Sequence, residues 1–366
     1  MENRNLVFLD CTSNKNHQTI MNKAGGASEY QFYQLIKHFS KNINNPIFCY
    51  NYSEDIISFD NITYLNKNNL ENYNFHDNCR IIIHRFYPWE INVKNKLESH
   101  SLFIWIHDLP DYMIFVGRND YMINYYKKEQ EKYREYLKNN FINKKNIIFI
   151  LNSHHCKKLI LDYFKSYNLV IDNKRMIVIY NILYEDELRE TYEKQISVQK
   201  NKIVYASSWS KGIDDIIRIF YYIHERDKNF ILELMNPGYG MENYVHLQEE
   251  LKQRFPNNII IHEPLSKKQY SEVIKSALCV LSSKFDETYG CVFAESYYLG
   301  TPVIADIRSG AVKEIIDNNF IVNFDEPQEV FSKINHLVSI RDNKKIYLSK
   351  KFSLKKIFPI WTKTLQ

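Results

Sequence analysis

At 366 residues the chain is longer than one ordinary core supports, which favours two domains. Its apolar fraction of 45% and charged fraction of 25% are those of a globular protein, and no run approaches the roughly 18 apolar residues of a membrane span. A net charge of +5 is too mild for a nucleic-acid binder, and six cysteines without a CxxC pair indicate neither a zinc site nor a disulfide framework.

The first apolar stretch, in "MENRNLVFLDCTSNK", closes at Asp10 and is too short for the core of a signal peptide, so a cytoplasmic protein is expected. Short β-branched runs follow along the first half: "NLVFLD", "PIFCYN", "CRIIIHRF", "SLFIWIHD", "NIIFILNS" and "MIVIYN". After "GGASEY", Phe32, Leu35, Ile36 and Phe39 fall at i, i+3, i+4 and i+7, the apolar face of a helix. The densest basic run, residues 123 to 146, mixes Lys and Arg with Glu and Tyr. It reads as a solvated helix face, with peripheral contact to an anionic membrane surface as the alternative.

"YEDELRETYEKQISVQKNK" is charged and lacks a strand signal, which places a domain boundary near residues 183 to 200. The rhythm then restarts with "KIVYASS", a helix carrying Ile213, Ile216, Ile217 and Phe220, and then "NFILELM", "NIIIHEP", "ALCVLSS", "PVIAD" and "FIVNF". Short apolar strands alternating with helices argue buried parallel sheets, and two such series argue an α/β protein of two doubly wound domains.

The segment "KFDETYGCVFAESYYLGTPVIA", residues 284 to 305, reads as a loop, a helix stopped by Gly300, and a strand. Glu287 then sits in the loop beyond a strand end, and Glu295 one to two turns into the helix. The helix start near Gly290 and Cys291 offers free N–H groups that suit a phosphate. Carboxylates accept hydrogen bonds from vicinal hydroxyls, so the pattern suits a ligand with sugar rings on either side of its phosphates. Two acids on a loop and a helix surface, without a ligand, remain the alternative.

The spacing Glu287 to Glu295 resembles the E-x7-E motif of retaining GT-B glycosyltransferases, family four, group 1 type. Around it, "VYASSWSKGIDDII" is similar to the loop and helix that open the second domain, and "VIYNI" to the hinge segment. "KFSLKKIFPIWTKTL", with Trp361, is similar to the C-terminal helix. "NKAGGASEYQFYQLIKHF" and "WIHDLP" are similar to the first-domain glycine loop and a strand-end His. The resemblance implies two Rossmann-like domains facing across a cleft: an acceptor domain at 1–182, a donor domain at 183–345, and a helix at 346–366 packing back on the first.

It also implies transfer of a hexosyl group, with retention, from a UDP- or GDP-sugar to a glycan, lipid-linked or other hydroxyl acceptor. No metal is implied, and no Asp-x-Asp site stands out. Glu295 would hold the ribose hydroxyls and Glu287 those of the transferred sugar. Thr288, Tyr289 and Gly290 would offer backbone donors near the diphosphate, and Lys211, beside Gly212, would neutralise it. Gly25 and Gly26 would admit the donor or acceptor to the backbone, and His107 would lie near the transferred sugar.

One departure stands out: the family's Arg before that Lys is replaced by Ala206, Ser207 and Ser208. The serines would supply hydroxyl and backbone donors in its place, and Arg85 or Arg308 are other sources of charge. The departure keeps open a catalytically weakened scaffold that binds nucleotide sugars. A dinucleotide oxidoreductase is disfavoured, because no GxGxxG follows any strand.

Overall fold

A computed structural model describes residues 5–10, 27–43, 47–51, 57–59, 61–66, 79–85, 100–108, 131, 135, 146–236, 241–341 and 352–365. The chain divides into two compact units, Met1–Tyr180 with Pro359–Gln366, and Asn181–Phe358.

The first unit holds β1 (Leu6–Asp10), α1 (Ala27–Asn42), β2 (Ile47–Asn51), β3 (Ile57–Phe59), β4 (Ile62–Asn66), β5 (Arg80–His84), β6 (Ser101–Ile106), β7 (Ile147–Leu151), α2 (His154–Ser166) and β8 (Met176–Val178). Its sheet runs β3-β4-β2-β1-β5-β6-β7-β8, parallel except for the β3–β4 pair at one edge. Every residue of β1 and β5 is buried, as the unbroken apolar runs require when both sheet faces are covered. The predicted face of α1 lies in this core, with Phe32, Leu35, Ile36 and Phe39 at 0% exposure. The β3–β4 pair was not among the predicted strands; β3 is only three residues long and gives almost no periodicity to read.

The second unit holds α3 (Glu185–Glu193), β9 (Gln199–Tyr205), α4 (Ile213–Arg226), β10 (Ile231–Leu234), α5 (Val245–Arg254), β11 (Ile259–Ile261), α6 (Lys267–Ser276), β12 (Ala277–Ser282), α7 (Cys291–Tyr298), β13 (Val303–Asp306), β14 (Ile321–Val322) and α8 (Pro327–Ile340). The charged segment expected to be a linker contains α3 and the start of β9. The sheet is parallel throughout, in the order β11-β10-β9-β12-β13-β14. Winding outward from β9 in both directions leaves one reversal of strand order, between β9 and β12. In open α/β sheets a ligand binds beyond the carboxyl ends of the strands at such a reversal.

The last helix, α9 (Leu354–Thr364), carries Pro359 in its interior, where the missing N–H removes one helical hydrogen bond. The division between the units falls at this proline. Beyond it Trp361 is fully buried, its ring 4.7 Å from that of Trp105. Among the described residues no helix is long and apolar enough to cross a membrane.

Candidate functional site

The two loops at the strand reversal of the second unit carry most of the predicted residues. The loop after β9 runs through Ala206, Ser207 and Ser208 into a 3-10 turn at Trp209–Lys211 and then Gly212, the residue before α4. Trp209 anchors it, 1% exposed, with Nε1 donating to the Met235 carbonyl at 3.0 Å. The buried Tyr205 hydroxyl lies 3.1 and 3.2 Å from the carbonyl oxygens of Ser208 and Lys211, and Ser283 Oγ donates to the Lys211 carbonyl. Gly212 takes φ +97°, and a Cβ there would lie 2.9 Å from that of Ser283, so glycine lets the two loops meet.

At that meeting point Lys211 Nζ stands 2.9 Å from both carboxylate oxygens of Glu287, 76 residues away in sequence. The Glu287 side chain is 8% exposed and that of Lys211 22%. A carboxylate buried to that degree needs a paired charge, and the ammonium supplies it. The Lys211 ammonium also lies 5.0 Å from the Phe285 ring centre.

A third segment, after β13, braces the Glu287 loop. Ser309 Oγ donates to the Ser283 carbonyl at 2.6 Å, and the Ala311 amide donates to the Glu287 carbonyl at 2.8 Å. Gly310 lies so close that a Cβ would meet Glu287 O at 2.5 Å. Sequence reasoning missed this brace; the "SG" turn after the strand "PVIAD" is its only local sign.

Beyond Glu287 the chain passes Thr288 and the buried Tyr289, whose hydroxyl donates to the Asn181 carbonyl at 3.2 Å. Gly290, at φ +87°, precedes α7, as predicted from "YGCVF". Burial pushes the Cys291 thiol up to about 12, with Glu295 adding to the shift. Glu295 sits in the second turn of α7 and is held by Lys267 Nζ at 2.5 Å, with the hydroxyl of the half-buried Tyr270 close by. Neither partner stands out in the sequence, although "SKKQ" does spell the capping box that starts α6.

The two arginines offered as other sources of charge are each ion-paired. Arg308 bonds Asp306 through Nε at 2.7 Å and Asp325 through Nη1 at 2.6 Å. Arg85, in the first unit, pairs with Glu29 at 2.6 Å and Asp108 at 3.1 Å.

In the first unit His107 follows β6 and is 3% exposed, its ring against those of Trp105 at 4.5 Å and His84 at 4.9 Å. Burial holds it well below the usual imidazole range, with His84 and Arg85 adding, so it is neutral at physiological pH. His84 Nδ1 lies 3.3 Å from the buried Asp10 carboxylate, which also accepts from the Tyr33 hydroxyl at 3.0 Å. Gly25, Gly26 and nearly all of the basic run at 123 to 146 lie outside the described residues.

Residues 189–351 match the family model described as glycosyl transferases group 1. No curated protein matches the chain significantly. Among solved structures, the chain is similar to WaaG, a glycosyltransferase involved in lipopolysaccharide biosynthesis, at 15% identity over 99% of both chains with a TM-score of 0.68. It is similar to HepE of Anabaena, solved in complex with UDP and glucose, at 14% identity over 99% of both chains with a TM-score of 0.65. A sucrose-phosphate synthase of Thermosynechococcus elongatus superposes at a TM-score of 0.71, with 10% identity over 99% of this chain and 98% of that one. The chain thus has the GT-B fold, with a match to glycosyl transferases group 1 over residues 189–351.

Proposed function

We propose that the chain is a retaining glycosyltransferase that moves a hexosyl group from a nucleoside-diphosphate sugar to an acceptor hydroxyl, without a metal ion. The observation that carries this reading is the Lys211–Glu287 pair, 2.9 Å apart at the strand reversal of a group 1 domain. Breaking the glycosidic bond gathers negative charge on the leaving diphosphate, and a fixed cation with backbone N–H donors stabilises that charge more than the ground state. Lys211, the amides of Thr288 to Gly290 and the hydroxyls of Ser207 and Ser208 fill this role. Glu287 holds the hydroxyls of the transferred sugar, and Glu295 those of the ribose.

Retention in this reading follows a front-face path in which the leaving phosphate itself takes the acceptor proton. The chain therefore supplies position and charge more than a general base. His107, neutral and buried, acts through hydrogen bonding near the transferred sugar. The first unit provides the acceptor side and the second the donor side. The likeness to HepE, bound to UDP and glucose, supports a UDP-sugar over a GDP-sugar. The likeness to WaaG, involved in lipopolysaccharide biosynthesis, supports a glycan or lipid-linked acceptor. The cytoplasm is the compartment we assign.

A second reading, a nucleotide-sugar-binding scaffold without turnover, is favoured by one observation. Position 206 is alanine, and Arg308 is spent on Asp306 and Asp325. Thermal melting against UDP, GDP, UDP-glucose and GDP-mannose, with and without a chelator, tests both. A ligand at about 100 times its dissociation constant stabilises by roughly 2.7 kcal/mol. A shift in wild type that is lost in Glu295→Ala, together with nucleotide release in the chelator, supports the enzyme. The same shift without release against any acceptor supports the scaffold, and no shift refutes both.

A further inference from the structure

Glu295 does not stand alone on α7. Lys267, the first residue of α6, places Nζ 2.5 Å from its Oε1. Tyr270, three residues on, is half-buried, with its hydroxyl close to the same carboxylate. Residues at i and i+3 share a helix face, and the Lys267 ammonium lies 5.0 Å from the Tyr270 ring centre, so the two side chains form one unit. Their helix is pinned where it starts. Ser266 Oγ accepts from the Gln269 amide at 3.3 Å, while Gln269 Oε1 accepts from the Ser266 amide at 3.1 Å.

A glutamate facing water from a helix surface samples several rotamers and aims its oxygens nowhere in particular. Here an ammonium fixed to a neighbouring capped helix occupies part of the carboxylate, with the Tyr270 phenol beside it. Its side chain is only 15% exposed. Binding to a group already held in one orientation avoids the cost of ordering it.

We infer that Lys267 and Tyr270 are positioning residues of the donor site, which aim the remaining lone pairs of Glu295 at the vicinal hydroxyls of the ribose of a nucleoside diphosphate. The inference rests on the donor-site reading of Glu295.

The test reads discrimination between riboses. The full chain and its Lys267→Met, Lys267→Arg, Tyr270→Phe and Glu295→Ala variants are titrated by calorimetry with UDP, 2′-deoxy-UDP and 3′-deoxy-UDP, with the GDP series in parallel. Melting curves establish that each variant is folded. Wild type prefers the ribonucleotide by about tenfold, the worth of a hydrogen bond to a charged group. Glu295→Ala and Lys267→Met erase the preference while still binding the diphosphate, Lys267→Arg keeps it, and Tyr270→Phe reduces it.

A merely structural lysine would weaken all three nucleotides alike and leave the ratio unchanged. That result in Lys267→Met, with the ratio lost in Glu295→Ala, overturns the inference and leaves the donor reading standing. A wild type that binds no nucleotide, or binds ribo and deoxy forms equally, overturns the donor reading and the inference together.

Discussion

Gly310→Ala separates the brace under Glu287 from an ordinary turn. Gly310 has φ +61°, and an added Cβ would lie 2.5 Å from Asp286 Oδ1, 2.5 Å from Glu287 O and 2.9 Å from Glu287 N. The aspartate can swing aside. The Glu287 backbone cannot, because its carbonyl is held by the Ala311 amide at 2.8 Å. Left-handed backbone costs a residue with a Cβ about 1–2 kcal/mol, and overpacking a tight site costs about 1–3 kcal/mol, so the sum is about 2–5 kcal/mol.

Gly300→Ala is the matched control. It also has positive φ, +80°, but nothing lies within 4 Å of the new Cβ, so only the backbone cost of about 1–2 kcal/mol applies. Urea unfolding of the two variants, each against wild type, gives the difference, and nucleotide-sugar titration reports whether Glu287 has moved. Gly310→Ala should be the less stable and should bind donor more weakly, while Gly300→Ala binds as wild type does. Equal destabilisation by the two substitutions refutes the close-approach argument.

Lys211→Met strands the buried Glu287 carboxylate. Melting should drop, turnover should fall by about a hundred- to a thousandfold, and adding Glu287→Gln should recover stability but not rate, as read by melting curves and nucleotide release. Burial raises the Glu187 carboxyl from 4.5 to about 7, with Lys267 opposing and Glu295 adding. An acid whose folded value is raised stabilises the fold while protonated, so its contribution is complete below about 4.5 and is lost as pH rises through about 7. Glu187→Gln should be near neutral at pH ~4.5 and stabilising by about 1–2 kcal/mol at pH ~8, a modest figure because solvent screens a partly exposed group. A stability difference independent of pH would sink that assignment. Trp361→Ala empties a fully buried site against Trp105 and should cost about 3–5 kcal/mol, measured by chemical denaturation.

Much of the fold is legible because its signals are local. The runs "NLVFLD" and "ALCVLSS" are almost wholly apolar, which only a strand covered on both faces tolerates, and β1 and β12 are buried throughout. The faces of α1 and α4 follow from 3.6-residue spacing, and the turn at Gly290 from the residue that takes positive φ there. Where the local signal is short or polar it fails. The three residues of β3 carry too little periodicity, and the charged face of α3 hides a helix whose buried residues include only Leu188 and Thr191.

The candidate site divides along the same line. The E-x7-E spacing and the "SKG" turn single out Glu287, Glu295 and Lys211, since each lies in a motif a few residues long. The partners of these residues carry no such mark. Lys211 meets Glu287 across 76 residues, Lys267 meets Glu295 across 28, and Ser309 meets Ser283 across 26. Those contacts depend on β9 lying beside β12 and β12 beside β13, a matter of strand order that no local pattern encodes. The sequence by itself determined two doubly wound units and the residue types that make up the candidate site. Only the tertiary structure decided which charge neutralises which, because burying a carboxylate commits it to whatever cation the folded sheet brings within reach.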